Sequence, residues 1–172
     1  MAWSSQSNVE VEGLAELQSL LASLDDTISR RLLRTALRKA AQLFAAAMKA
    51  RIHRQFGKQT HQSGKPRPHV ADDVKVRMKV ENGRLTARIG AGRQTAYILN
   101  FLEYGTQQHE IHAAKGSALF IPGTGLVKSV MHPGAREYKV LEPAFNEQQS
   151  AVIETFRNEL AAGIEKQFRK MA

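Results

Sequence analysis

Residues 101–106 (FLEYGT), 132–136 (HPGAR) and 141–145 (LEPAF) gather the side chains of this chain best suited to chemistry. Glu103, Tyr104, His132, Arg136 and Glu142 are residue types that move protons or steady charge in general acid–base catalysis. Glu103 and Glu142 would form an acid–base couple if the fold brought them together, but sequence spacing does not set their distance. The competing reading is structural, because a glutamate in an otherwise apolar helical stretch commonly anchors backbone N–H groups or an arginine. Ser117 and Ser129 lack the context of a nucleophile elbow, and the chain has no cysteine. The expectation is therefore a protein that is not an enzyme, with no catalytic residues.

Cofactor and metal patterns fail on spacing. In GKQTHQSGKP, six residues separate Gly57 from the Gly64-Lys65 pair where a phosphate loop needs four, and Pro66 takes the place of the hydroxyl that would reach Mg²⁺. Gly90-Ala91-Gly92 lacks the third glycine and the strand–helix setting of a dinucleotide site. His109 and His112 are three apart, with Glu110 in the wrong slot for a zinc-binding helix. His53, His61 and His69 come from a helix and an exposed loop and read as solvated or partner-facing. Neither a cofactor nor a metal is expected.

The elements that must position these residues follow from periodicity. Leu14, Leu17, Leu20, Leu21 and Leu24 fall at helical spacing, preceded by a short alternating stretch at Val9 and Val11. From about Asp26 to Phe56 a long helix is expected, with Ile28, Leu32, Ala36, Ala40, Leu43, Ala47 and Ile52 on one stripe and no Gly or Pro until Gly57. Residues 57–69 mix Gly, Pro, Ser, His and Lys without periodicity and read as an exposed, mobile loop. Val74, Val76, Met78 and Val80 alternate into an ENG turn, and Leu85, Ala87 and Ile89 alternate back, which is a hairpin. A short helix stopped by Gly105 carries Tyr97, Phe101 and Tyr104, expected to anchor it in the core.

Residues 107–140 hold Gly, Pro and short apolar pieces such as ALFIP and LVKSVM, and read as further strands with loops. A final helix, from about Pro143 to Lys170, bears Phe145, Val152, Phe156, Leu160, Ile164 and Phe168 on one face. The order of elements predicts a single α+β domain over residues 1–172. In it, an antiparallel sheet of about four strands packs against the long basic helix and the C-terminal amphipathic helix.

Charge narrows the partners. The chain has 25 Lys+Arg against 16 Asp+Glu, a formal charge of +9 over 172 residues. Residues 1–26 hold five acids (Glu10, Glu12, Glu16, Asp25, Asp26) and no base, so an acidic start faces a basic body and invites head-to-tail contact between copies. Arg30, Arg31, Arg34 and Arg38, with Lys39, Lys49, Arg51 and Arg54, would suit either an acidic protein surface or nucleic-acid phosphates. No helix-turn-helix, zinc finger or stacking platform accompanies them, so sequence-specific reading of DNA is not expected. The N-terminus lacks a signal-peptide pattern and no run of about 18 apolar residues occurs, so neither secretion by that route nor a membrane span is expected.

Taken in order, VEVEGLAELQSLLASL, the basic helix RRLLRTALRKAAQLFAAAMKARI, a hairpin, AYILNFLEYGT, HPGAR, LEPAF and a terminal amphipathic helix resemble the neck or tail-completion proteins of long-tailed bacteriophages, over about residues 9–168. FLEYGT and the HPGAR…PAF combination carry the resemblance most specifically. The insertion at 107–131 and the EYKVLEPAF approach to the last helix depart from the shortest members.

The resemblance implies a structural virion subunit at the head–tail junction, assembled in the bacterial cytoplasm. It would form a homo-oligomeric ring, six copies being favoured over twelve, between the connector or stopper and the tail tube or terminator. It also implies structural roles for Glu103, Tyr104, Gly105, Thr106, His132, Pro133, Gly134, Arg136 and Pro143. Arg30, Arg31, Arg34, Arg38, Lys58, Lys65 and Arg67 are the candidate interface residues, with transient DNA contact in the lumen as a further expectation. The alternative reading is a basic module that binds nucleic acid without sequence preference.

Overall fold

A computed structural model describes residues 14–57, 68–114 and 117–171. The expected strand at Val9 and Val11 lies outside the described residues, as do Lys58, His61, Lys65 and Arg67 of the expected loop. The described residues form helices α1 (Leu14–Ala22), α2 (Asp26–Phe56), α3 (Ala96–Tyr104) and α4 (Leu141–Met171). The strands are β1 (Val74–Glu81), β2 (Arg84–Ala91), β3 (His109–His112), β4 (Leu119–Ile121), β5 (Gly125–Val127) and β6 (Ser129–His132).

These residues cluster into two compact units. The first comprises the described chain up to Ala47, Lys75–Ile89 and the chain from Ala144; the second comprises Met48–Val74 and Gly90–Pro143.

In the first unit, Asp25 stops α1 and starts α2. Its Oδ1 accepts the Thr27 N–H at 2.8 Å and the Ile28 N–H at 3.4 Å, an N-cap that satisfies two of the donors a helix start leaves unpaired. Ser29 Oγ donates to Leu21 O at 2.8 Å and ties the two helices at their corner. Leu17, Leu24, Ala36, Leu160 and Ile164 form a buried cluster from α1, the α1–α2 link, α2 and α4, flanked by Leu21, Ile28, Leu32, Leu33, Phe156 and Ala161. Ala36, Ala40, Ala41 and Ala45 are buried on α2, where short side chains let neighbours approach its backbone. Lys39 Nζ bonds Glu159 Oε2 at 2.6 Å, and the Phe44 and Phe145 rings meet edge to face at 5.8 Å. Strands β1 and β2 pair across a turn in which Asn82 (φ 51°) and Gly83 (φ 73°) both take positive φ, the backbone expected of a two-residue hairpin loop.

In the second unit, Met48, Ile52, Val70, Ala71, Val74, Ala91, Leu99 and Val140 are buried. Asp73 and Thr95 are also buried, and Thr95 Oγ1 donates to Asp73 Oδ2 at 2.8 Å. Two strand pairs complete it: β3 with β6 in the register His109↔His132 to His112↔Ser129, and β4 with β5 centred on Phe120↔Leu126.

The fold is α+β with antiparallel pairing, but among the described residues the strands form three separate two-stranded sheets in place of the expected sheet of about four strands. Strand β3 exposes all four of its residues, and β4 and β5 are three residues each. Such strands offer no continuous apolar face on which a shared sheet could be laid.

Leu160 is 1% exposed at the centre of the first unit's helical cluster. Leu160→Ala is expected to cost about 2–5 kcal/mol, read as a lower midpoint in denaturant unfolding followed by circular dichroism.

Candidate subunit and partner interface

The FLEYGT and HPGAR segments come together in the second unit as a backbone joint. Thr106 N–H donates to Ala135 O at 2.8 Å, and the Ala135 N–H returns to Thr106 O at 3.1 Å and to Thr106 Oγ1 at 2.9 Å. Tyr138, after Ala135 on the second segment, donates its N–H at 2.8 Å to the O of Leu102, which precedes Thr106 on the first. The chains run so close that a Cβ at Gly105 would lie 2.4 Å from Ala135 O, and one at Gly134 would lie 2.2 Å from Thr106 O. Both glycines also hold positive φ, 66° and 87°, so steric room and backbone conformation exclude a side chain at each.

Glu103 closes the joint against the last helix. Only 7% exposed, it accepts the Leu141 N–H at 2.8 Å through Oε2 and the Glu142 N–H at 3.4 Å through Oε1. These are the first two residues of α4, and the third, Pro143, has no N–H to satisfy. A carboxylate at a helix N-terminus also faces the positive end of the helix dipole. Both Glu103 oxygens therefore act on backbone, and the contact to Glu142 is to its N–H, which is an anchoring geometry.

The remaining motif residues surround this joint. His132 Nδ1 accepts the Gly134 N–H at 3.1 Å, and its ring lies 5.1 Å from that of His109, its partner in the β3–β6 register. Pro133 is exposed. The Arg136 guanidinium carbon sits 4.7 Å from the centroid of Tyr138, whose ring meets Phe56 edge to face at 4.7 Å. Lys139 takes a left-handed φ of 48° immediately before Val140 and the start of α4.

The expectation that Tyr97, Phe101 and Tyr104 anchor α3 in the core does not hold. They are 42%, 47% and 65% exposed, and the buried residues of α3 are Leu99 and Glu103. Spacings of four and three do put the aromatics on one helical face, but that face is the outer one. Phe120 and Leu126, opposed across β4 and β5, are exposed at 72% and 73%. The second unit thus carries bulky apolar side chains on its surface on both α3 and the β4–β5 hairpin.

The arginines near the start of α2 lie in the first unit. Arg30 bonds Asp26 at 2.8 Å, one turn earlier on the helix, with both side chains well exposed. Arg31, Arg34 and Arg38 are exposed and make no ion pair among the described residues. Helix α2 therefore presents a cationic face as expected. Periodicity did not signal one grouping: His53 near the end of α2 stands beside His69 and Asp72, with the two imidazoles stacked at 4.9 Å.

A family model described as "Bacteriophage HK97-gp10, putative tail-component" matches residues 15–105, from α1 through the hairpin to the glycine that ends α3. The chain belongs to this HK97-gp10-like family, and so is a bacteriophage structural protein of the tail-component type. FLEYG lies inside the matched stretch, whereas HPGAR and LEPAF lie beyond it. No curated protein and no solved structure matches the chain. Among the described residues, no helix is long and apolar enough to cross a membrane.

Two substitutions separate anchoring from chemistry. Glu103→Gln keeps one acceptor oxygen and is expected to cost about 1–3 kcal/mol in denaturant unfolding. Gly105→Val meets both the backbone clash and the positive φ, and is expected to cost on the order of 2–5 kcal/mol or to prevent folding.

Proposed function

We propose that this protein is a subunit of a ring at the phage head–tail junction, joining the connector or stopper above to the tail tube or terminator below. One observation carries the reading: a tail-component chain whose Glu103 is spent on backbone anchoring displays several large apolar side chains and its arginines outward. Tyr97, Phe101, Tyr104, Phe120 and Leu126 supply an apolar surface, and Arg31, Arg34 and Arg38 supply a cationic one. A closed ring needs unlike faces that meet between neighbours, which an acidic N-terminal segment and a basic α2 provide in one chain. Six copies match the sixfold symmetry of a tail, with twelve as the alternative. Residues 57–69, basic and without an apolar anchor of their own, are assigned to partner contact. The role is structural and not catalytic, its place is the virion, and assembly takes place in the bacterial host cytoplasm.

Exposed arginines on one helix face also suit DNA passing through the ring lumen. Salt-sensitive and length-dependent DNA affinity of the isolated subunit would favour a basic nucleic-acid module over the junction role.

Electron microscopy of particles labelled on this chain, beside a knockout, tests the junction reading. Label confined to the neck, with unjoined heads and tails in the knockout, is the expected result; label absent from finished particles would overturn it. In the same complementation assay, Arg31→Glu/Arg34→Glu/Arg38→Glu should fold normally by circular dichroism, because all three side chains are exposed, and should reduce joining at least tenfold.

A further inference from the structure

We propose that His53, His69 and Asp72 form a binding site for a divalent transition-metal ion of the Zn²⁺ class, tying together the two ends of the segment that runs between the histidines. The three residues belong to the second unit, and each offers a donor atom within 4.8 Å of the other two. They are the one such trio of His, Asp or Glu side chains among the described residues.

Local structure brings them together. His53 lies in the last turn of α2, whose end is marked by the Gly57 N–H bonding His53 O at 2.8 Å. His69 and Asp72 sit three apart on a helical turn, in which the N–H groups of Asp72 and Asp73 donate to His69 O at 3.0 and 3.2 Å. That spacing places their side chains on one side of the turn.

The donor set and the distances favour a metal of this class. His53 Nε2 is 3.3 Å from Asp72 Oδ1. Two ligands on a tetrahedral ion with bonds of about 2.0–2.1 Å stand roughly 3.3–3.4 Å apart, so this edge of the site is already set. Two imidazoles and one carboxylate suit Zn²⁺ and its transition-metal neighbours, whereas Mg²⁺ and Ca²⁺ prefer an all-oxygen shell. Asp72 is 65% exposed on its side chain, which gives an ion a way in.

The third ligand has to move. The imidazoles stack at an interplanar angle of 9°, so their lone pairs do not yet converge. His53 Nδ1 is buried without a hydrogen-bond partner, so Nε2, the atom that already faces Asp72, is the one His53 offers to an ion. His69 Nδ1 accepts the Ala71 N–H at 3.2 Å. Ligation through Nδ1 displaces that N–H, and ligation through Nε2 requires a proton on Nδ1, so either route releases the Ala71 amide. An ion held there would link the end of α2 to the turn that carries His69 and Asp72 and would favour the folded form by mass action. Metal binding by the free subunit is measured without reference to the ring, so its failure leaves the junction reading standing.

The test is titration of the untagged, metal-free full chain with ZnCl₂, followed by calorimetry and by ¹H–¹⁵N spectra of the histidine rings and backbone amides. Expected are saturable binding of one ion per chain, shifts at the His53 and His69 rings and at the Ala71 amide, reversal by EDTA, and no response to MgCl₂. Asp72→Asn should leave the fold intact and weaken binding at least tenfold, and His69→Ala should abolish it. Three results would overturn the proposal: no saturable binding, binding unchanged in Asp72→Asn and His69→Ala, or shifts confined to the neighbouring pair His109 and His132.

Discussion

The structure depends on one buried carboxylate. Glu103 holds the first two N–H groups of α4, and the rest of the joint follows from putting the end of α3 within reach of residues 141 and 142. Chain reversal at Gly105 lets Thr106 pair with Ala135, and Gly134 permits that pairing from the other side. A helix start normally supplies its own capping side chain from the preceding residue, but here that residue is Val140, fully buried and apolar. The cap comes instead from a residue 38 positions earlier in the chain, which couples formation of α4's first turn to docking of α3. With both oxygens engaged by backbone, Glu103 contributes order to the subunit. A structural protein of the tail-component type has more use for such an anchor than for a proton donor.

The two units are stabilised by different means. In the first, Leu, Ile and Ala side chains of α1, α2 and α4 make a helical cluster, and the buried alanines of α2 leave the large residues of α1 and α4 to fill the space. In the second, short strands contribute little apolar surface, and the buried hydrogen bond from Thr95 to Asp73 and the part-buried one from Leu141 to Glu103 add to the apolar packing. This difference explains why the second unit carries Phe120, Leu126 and the α3 aromatics on its outside. Two-stranded sheets have little interior in which to hide them.

Much of this was legible in the sequence. The long α2, bounded by the Asp25-Asp26 pair and Gly57, follows from apolar spacing and helix-terminus chemistry, and the Asn82-Gly83 turn fixes the hairpin register by its backbone requirement. The anchoring character of Glu103 could be anticipated from its apolar helical context, whereas its partners at residues 141 and 142 could not, since capping across 38 residues leaves no local pattern. The outward aromatics of α3 were misread because periodicity shows that residues share a face and not which face is buried; Leu99 and Glu103 took the inner one. The supposed four-stranded sheet failed because strand propensity in 107–131 says nothing of which strands pair. No spacing pattern joins Asp72 to His53 and His69, because His53 lies on another element, and the family match ends at residue 105, before the second half of the joint.

The central claim, that FLEYGT and HPGAR form a structural joint fastened by Glu103, is tested most directly by native-state amide hydrogen exchange of the free subunit. If the joint holds the fold together, the N–H groups of Thr106, Ala135, Tyr138, Leu141 and Glu142 exchange together and only through a large cooperative opening, with protection factors on the order of 10³ or more. Exchange of these amides near unprotected rates, while the α1–α2–α4 cluster stays protected, would contradict the account.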